Sequence, residues 1–221
     1  IIDDEKKLSF YLGCVAVVES SFGLGSGFFI KDNYLITNNH VVGVDKKVKV
    51  KKFETNNFVD AFVLASDKKN DLALIKTTGK NINCIINNYK LPTLLSEVIA
   101  IGHPKGLEFS VTKGLINAYR DINANPVKDR TSIKIHNIQM DATIHPGSSG
   151  GPLFHEGLII GMNTKGFEGT SLNFAIHSNT ICNFLSKQSE TRTLCKDNHK
   201  IINNFKKDKS QSEKQDISDA Y

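Results

Sequence analysis

The 221-residue sequence contains no apolar run near the roughly 20 residues needed to cross a bilayer. Its first residues, IIDDEKKLSF, lack the basic segment followed by an apolar stretch that marks a secretory signal, so the N-terminus does not encode a compartment. No CxxC pair is present: Cys14, Cys84, Cys182 and Cys195 are scattered, which disfavours both a zinc site and a dense disulfide framework. The four cysteines therefore read as isolated buried thiols, with a Cys182–Cys195 bridge left open. A strong charge excess is also missing, because the net +5 comes from lysines interspersed with acids, and bulk charge gives no reason to expect nucleic acid as a partner. GLGSGF at 23–28 falls short of a dinucleotide loop, having Phe28 where the spacing needs a glycine and no following helix, and reads as a tight turn feeding a strand.

What is present, at 39% hydrophobic and 23% charged residues, is the composition of an ordinary soluble chain long enough for one all-β domain or two packed lobes. Short apolar or alternating runs occur at 12–18, 27–30, 34–37, 46–53, 58–65 and 72–76, then at 97–102, 109–118, 133–140, 152–154, 157–163 and 172–176. Gly, Asn and Asp punctuate them at hairpin spacing, which predicts two similar all-β units, about 8–88 and 91–178, joined through NNYKLPTL at 87–94. KKVKVKK at 46–52 has period 2, placing Val48 and Val50 on one face and Lys47, Lys49 and Lys51 on a solvated one. SNTICNFLSKQ changes to helical spacing with Ser178 or Asn179 as cap, predicting a helix over about 178–188. The Lys-, Asp-, Ser- and Gln-rich remainder, 190–221, reads as a flexible charged tail or linker after a domain ending near 189.

The segment that carries chemistry is HPGSSGGPLF at 145–154, with two adjacent serines among glycines. A hydroxyl is a poor nucleophile at neutral pH and needs an imidazole to take its proton, and the imidazole needs a carboxylate to fix its tautomer. His136, His155, His177 and His199 read as surface or strand residues, whereas His40 in YLITNNHVV follows a β-rich run that can hold a side chain over a cleft. Asp71 in KKNDLALIK directly precedes an apolar run and can be partly buried against it. The order His, Asp, Ser is that of the chymotrypsin template.

Taken together, TNNHVV, NDLALIK, HPKGLEFSVTKGLINA, DATIHPGSSGGPLF, GLIIGMNTK and SLNFAIHSN resemble, in order and over residues 8 to 185, the trypsin-like protease domain of the HtrA (DegP, DegS) family. The resemblance implies a chymotrypsin-like double six-stranded β-barrel with the site in the cleft between barrels. It assigns the nucleophile to Ser149, the serine before Gly-Gly-Pro, with His40 as base and Asp71 as its orienter. Gly147 and Ser149 would donate their N–H groups as an oxyanion hole, while Gly150 and Gly151 allow close approach behind the nucleophile. Ser148 stands where digestive-type relatives carry the Asp that pairs with a new N-terminus, so that zymogen ion pair is ruled out and control falls to loops or assembly.

The residue six before the nucleophile, Thr143, corresponds to the base of the S1 pocket in related proteases, and no carboxylate there would pair with Arg or Lys. With Ile144, His145 and Met162 around it, the pocket is expected to take small or medium apolar P1 residues, while Asn163, Thr164 and Lys165 form an edge that pairs with extended substrate. Loops 166–171 and 120–132 match regions that switch between active and inactive arrangements in the family. The implied partners are polypeptides, in unfolded or misfolded segments, with no cofactor and no metal. The resemblance also brings homotrimers, with Phe10 and Tyr11 as candidate contacts or, equally, edge-strand core residues, a PDZ domain missing after the tail, and an extracytoplasmic location such as periplasm, secretion or an organelle lumen. Against an enzyme stands a protein-binding or chaperone-like module whose protease site is closed. A cysteine protease on this fold is excluded because position 149 is serine.

Overall fold

The structure, a computed structural model, describes residues 2–79, 81–87, 91–120, 137–167, 169–198 and 200–203. Two closed antiparallel barrels of six strands each account for most of them. The first comprises β1 (Val15–Ser20), β2 (Gly23–Lys31), β3 (Tyr34–Thr37), β4 (Lys47–Lys52), β5 (Val59–Asp67) and β6 (Leu72–Lys76), closed in the order β1-β2-β3-β6-β5-β4. The second, β7 (Glu97–Gly102), β8 (Ser110–Arg120), β9 (Asn137–Met140), β10 (Pro152–His155), β11 (Leu158–Gly166) and β12 (Asn173–His177), closes as β10-β11-β12-β9-β8-β7. This is the chymotrypsin-like double barrel expected. GLGSGF lies within β2, which starts at Gly23, so the turn expected there is shorter and precedes it.

Strands such as β2, β6, β10 and β12 are nearly continuous apolar runs because each has two dry faces, whereas β4, β5 and β8 alternate between exposed residues and buried or half-buried ones. Along β2, Phe29 points into its own barrel with Ala16, Leu35 and Val48, while Phe28 and Ile30 point the other way. Similarly Ala73 and Ile75 line the barrel, and Leu72 and Leu74 leave it to meet Ile101, Phe154, Ile159 and Met162 of the second barrel. Val98, Ala100, Leu153 and Ile160 fill the second barrel. Period-2 alternation thus distributes side chains between two barrel cores and a third core that joins the barrels. In β4 the pattern places Val48 and Val50 inside, as expected, with Lys47 paired to Asp60 at 2.7 Å. Lys51 departs from the solvated face: its side chain is 14% exposed and forms an ion pair with Glu108 of the second barrel.

Four further expectations are corrected. Residues ahead of β1 form a helix, α1 (Ile2–Gly13), rather than an extended edge. On it Tyr11 stacks on Phe154 with centroids 4.5 Å apart, while Leu8 and Phe10 stay exposed. The cysteines are bonded, Cys14 to Cys84 and Cys182 to Cys195, with Cα separations of 5.7 and 5.9 Å. The closing helix, α3 (Ser178–Leu185), is capped by His177, whose Nδ1 accepts from Asn179 N at 2.9 Å, one residue before the expected caps. Ser178 instead donates its hydroxyl to Asn87 O. Finally, the region after 189 is folded as far as it is described: residues 194–198 and 200–203 are helical, and Thr191, Cys195, Asn198 and Ile202 are buried. Residues 204–221, most of loop 120–132, His136 and His199 lie outside the described residues.

Candidate active site

His40 sits on α2 (Asn39–Val42), a single helical turn after β3 whose Val41 and Val42 are anchored in the first barrel core. Asp71 closes the turn before β6 with φ of 55°, a left-handed conformation that Asp tolerates better than most side chains. Asn38 Nδ2 donates to Asp71 O at 3.0 Å and joins the two segments. The Asp71 carboxylate then receives His40 N at Oδ1 (2.9 Å) and, at Oδ2, both His40 Nδ1 (2.8 Å) and Thr164 Oγ1 (3.0 Å). A carboxylate on Nδ1 fixes the tautomer that keeps Nε2 as an acceptor, the form a general base needs.

The second barrel supplies residues 143–149 from the connection between β9 and β10. His40, Thr143, Ile144, His145, Pro146, Gly147, Ser149, Thr164 and Lys165 line one cleft, whose first-barrel side adds Phe22, Leu24 and Val41. The structure therefore brings together His40, Asp71 and Ser149 from separate barrels. Ser149 Oγ donates to Thr164 O at 2.9 Å, so its proton is directed at the β11 main chain. Ser148 faces inward: it is buried, and its Oγ accepts from His145 N. Of the two adjacent serines, only Ser149 lines the cleft.

The backbone around them is fixed by carbonyl anchors. Pro146 O accepts from Lys105 N (2.8 Å), Gly147 O from Ser26 Oγ (2.7 Å) and Ser148 O from Gly151 N (3.1 Å). The Gly147 and Ser149 N–H groups donate to no carbonyl among the described residues. Gly147 holds φ of 100°, and a Cβ there would lie 2.2 Å from His103 O. Gly150, at φ of 87°, is pressed against Ser26 O, 2.0 Å from where a Cβ would stand. Both positions require glycine for conformation and for space.

Two predicted substrate-binding residues, Met162 of the pocket and Asn163 of the pairing edge, are elsewhere. Met162 is fully buried in the core between the barrels and Asn163 is fully buried, its amide donating to Ile101 O and Pro152 O. A bulge between Asn163 and Lys165 in the β11–β12 ladder shifts the face presented, which leaves Thr164, Lys165 and Gly166 along the cleft. Thr143 is exposed in the cleft, with Ile144, Phe167, Thr170 and Asn173 around it, and no carboxylate lines the cleft among the described residues. The residues that sequence reasoning missed are Ser26, Asn38 and His103. The available signal was a polar residue inside an apolar strand, as in GSGFFI. His103 is fully buried against Phe109, and burial pushes its imidazole down to about 4, with Glu108 opposing and Lys51 adding to the shift.

Two barrels, with a serine in the cleft across from a carboxylate-bonded imidazole, define the chymotrypsin class of peptidases. Residues 25–162 match the family described as a trypsin-like peptidase domain. Probable periplasmic serine endoproteases described as DegP-like are 37% identical over 162 residues in Pseudomonas putida, 69% of this chain and 32% of the relative, and 33% identical over 176 residues in Hahella chejuensis, 76% and 36%. A crystal structure of a serine endoprotease from Yersinia pestis superposes with a TM-score of 0.70 at 28% identity, covering 87% of this chain and 66% of the other. The inactive form of the Rv3671c protease shares the fold, with a TM-score of 0.72 at 20% identity, over 85% of this chain and 95% of that one. The chain belongs to the trypsin-like peptidase family and is similar, within it, to the DegP-like serine endoproteases. It spans about a third of the length of the curated relatives it matches.

Proposed function

We propose that the domain hydrolyses peptide bonds in unfolded or misfolded polypeptides, after small or medium apolar P1 residues, with Ser149 as nucleophile, His40 as base and Asp71 as orienter. The observation that carries this reading is the Asp71-bonded imidazole of His40 facing the same cleft as Ser149, beside two unspent N–H groups. Attack requires Ser149 to turn its hydroxyl from Thr164 O to His40. The proton passes to Nε2 and then to the leaving amine, while the N–H groups of Gly147 and Ser149 hold the carbonyl oxygen as it gains charge. Extended substrate would pair along Thr164–Gly166, and Thr143, Ile144 and Phe167 would surround the P1 side chain without offering it a carboxylate.

Ser149→Ala tests this directly. Casein cleavage is expected to fall by on the order of a million-fold, and cleavage at the wild-type rate would end the proposal. A second reading, a binding module with a closed site, is favoured by the single bond that turns Ser149 towards Thr164 O. Stoichiometric labelling of Ser149 by a fluorophosphonate supports the enzyme, and no labelling in any assembly state supports the binder. An extracytoplasmic location fits both the periplasmic relatives and the two disulfides, which persist in oxidising compartments. Homotrimer formation through Phe10, exposed on α1, and attachment of a PDZ domain remain part of the proposal.

A further inference from the structure

Ser26 is a fully buried polar residue inside an otherwise apolar stretch of β2. Burying a hydroxyl is unfavourable unless its bonding capacity is used. Here it is used in both senses, since Ser26 Oγ donates to Gly147 O at 2.7 Å and accepts from His103 N at 3.1 Å. The main chain of the same residue adds two more links: Ser26 N donates to Ser149 O at 2.8 Å, and Ser26 O accepts from Thr37 Oγ1 at 2.6 Å. A residue of the first barrel therefore grips both peptide carbonyls, 147 and 149, that flank the two serines.

The consequence follows from peptide geometry. In a trans peptide the C=O and N–H point in opposite directions. Lys105 N draws Pro146 O outward, so the Gly147 N–H is turned the other way. Ser26 Oγ draws Gly147 O, and so fixes the next peptide plane and the rotation of Gly147 at φ of 100°. Gly151 N holds Ser148 O, which orients the Ser149 N–H. Among these three anchors, those from Lys105 and Gly151 come from the second barrel and from main chain. The Ser26 anchor is a side chain, and it comes from the barrel that carries His40 and Asp71.

We propose that Ser26 is a positioning residue: its hydroxyl is the brace by which the first barrel sets the Gly147–Ser148 peptide, and so registers the oxyanion donors against the imidazole. This rests on the oxyanion reading of Gly147 and Ser149 given above. With Ser26→Ala the Gly147 carbonyl loses its partner and the 147–148 peptide is held from one side only, by Ser148 N on His145 O at 2.8 Å, whereas the bonds of the substrate-pairing strand are untouched.

The test is a steady-state comparison of wild type and Ser26→Ala on a fluorogenic peptide with Val at P1, with the melting temperature recorded for both. The expected result is a kcat lower by roughly 10- to 100-fold, less than complete loss of an oxyanion donor, with KM within about twofold. Affinity for a peptidyl boronic acid, which mimics the tetrahedral state, should fall by a similar factor, while affinity for the cleaved peptide product stays unchanged. If Ser26→Ala does not fold, Ser26→Cys, which keeps the volume and offers only a weak donor, carries the same expectation with a smaller loss. A folded variant with wild-type kcat, or one that loses boronate and product affinity equally, overturns the proposal. A wild-type protein that neither cleaves peptide nor accepts a fluorophosphonate at Ser149 removes the reading of the site and this inference with it, whereas an active wild type beside a fully active variant removes this inference alone.

Discussion

His103 shows how one residue can carry structure and liability together. Its ring is fully buried against Phe109, with centroids 4.6 Å apart, its Nδ1 accepts from Phe109 N, and its Nε2 has no partner among the described residues. Its main-chain oxygen packs against Gly147, which places the residue beside the loop that bears Ser149. Burial lowers its ionisation to about 4 from an ordinary 6.5, because a buried charged ring loses its hydration; Glu108 works against the shift and Lys51 with it. The unfolded chain therefore binds a proton that the folded chain refuses between those two values, and stability rises with pH across that window. Acidification from about pH 7 to about pH 4.5 is expected to remove up to on the order of 3 kcal/mol through this group, seen as a lower urea midpoint. In His103→Gln the same acidification should remove measurably less, and an unchanged pH dependence would exclude His103 as its source.

At the scale of elements, all twelve strands were legible, because short β-branched runs punctuated by Gly, Asn and Asp carry their own boundaries. What escaped was helical and covalent. In α1 the apolar residues Leu8, Tyr11 and Leu12 crowd the last turns, so no repeating stripe announces a helix. After residue 189 the buried positions, Cys195, Asn198 and Ile202, do recur at helical spacing, but Asn198 is not a typical core residue and the surrounding lysines conceal the pattern. Of the proposed site, His40, Asp71 and Ser149 each lie in a short motif, and the structure bonds Asp71 to His40 and sets His40 and Ser149 on one cleft. Met162 and Asn163 were misplaced because β11 is buried on both faces up to Asn163, and only beyond the bulge that follows does it reach the cleft. The Cys182–Cys195 bond ties α3 to that last helical segment across a separation of 13 residues. Its loop entropy is worth roughly 3 kcal/mol. Replacing both cysteines with Ser should accordingly lower the melting temperature and raise hydrogen exchange first in residues 194–203, leaving amides of β2 and β6 protected.

For the whole molecule, the proposed function depends on how two barrels are held together, since His40 and Asp71 belong to one and Ser149 to the other. The joint has an apolar part, Phe28, Ile30, Leu72 and Leu74 against Ile101, Phe154 and Ile159, and a polar part at Ser26 and the Lys51–Glu108 pair. The Cys14–Cys84 bond lies at the edge of this joint and spans 70 residues of sequence, enclosing every strand of the first barrel. That barrel is accordingly a covalent macrocycle. Any enzyme working among copies of itself is exposed to being cut by them, and here a single cut between residues 15 and 83 opens the ring without releasing a piece. Nicked protein should run at its full 24.5 kDa on a non-reducing denaturing gel and divide in two only after reduction. Fragments released without reductant would show that the ring had not closed. Such a chain can take one cut inside the ring and still keep His40, Asp71 and Ser149 on one connected molecule, so its working life would not end at the first peptide bond broken there.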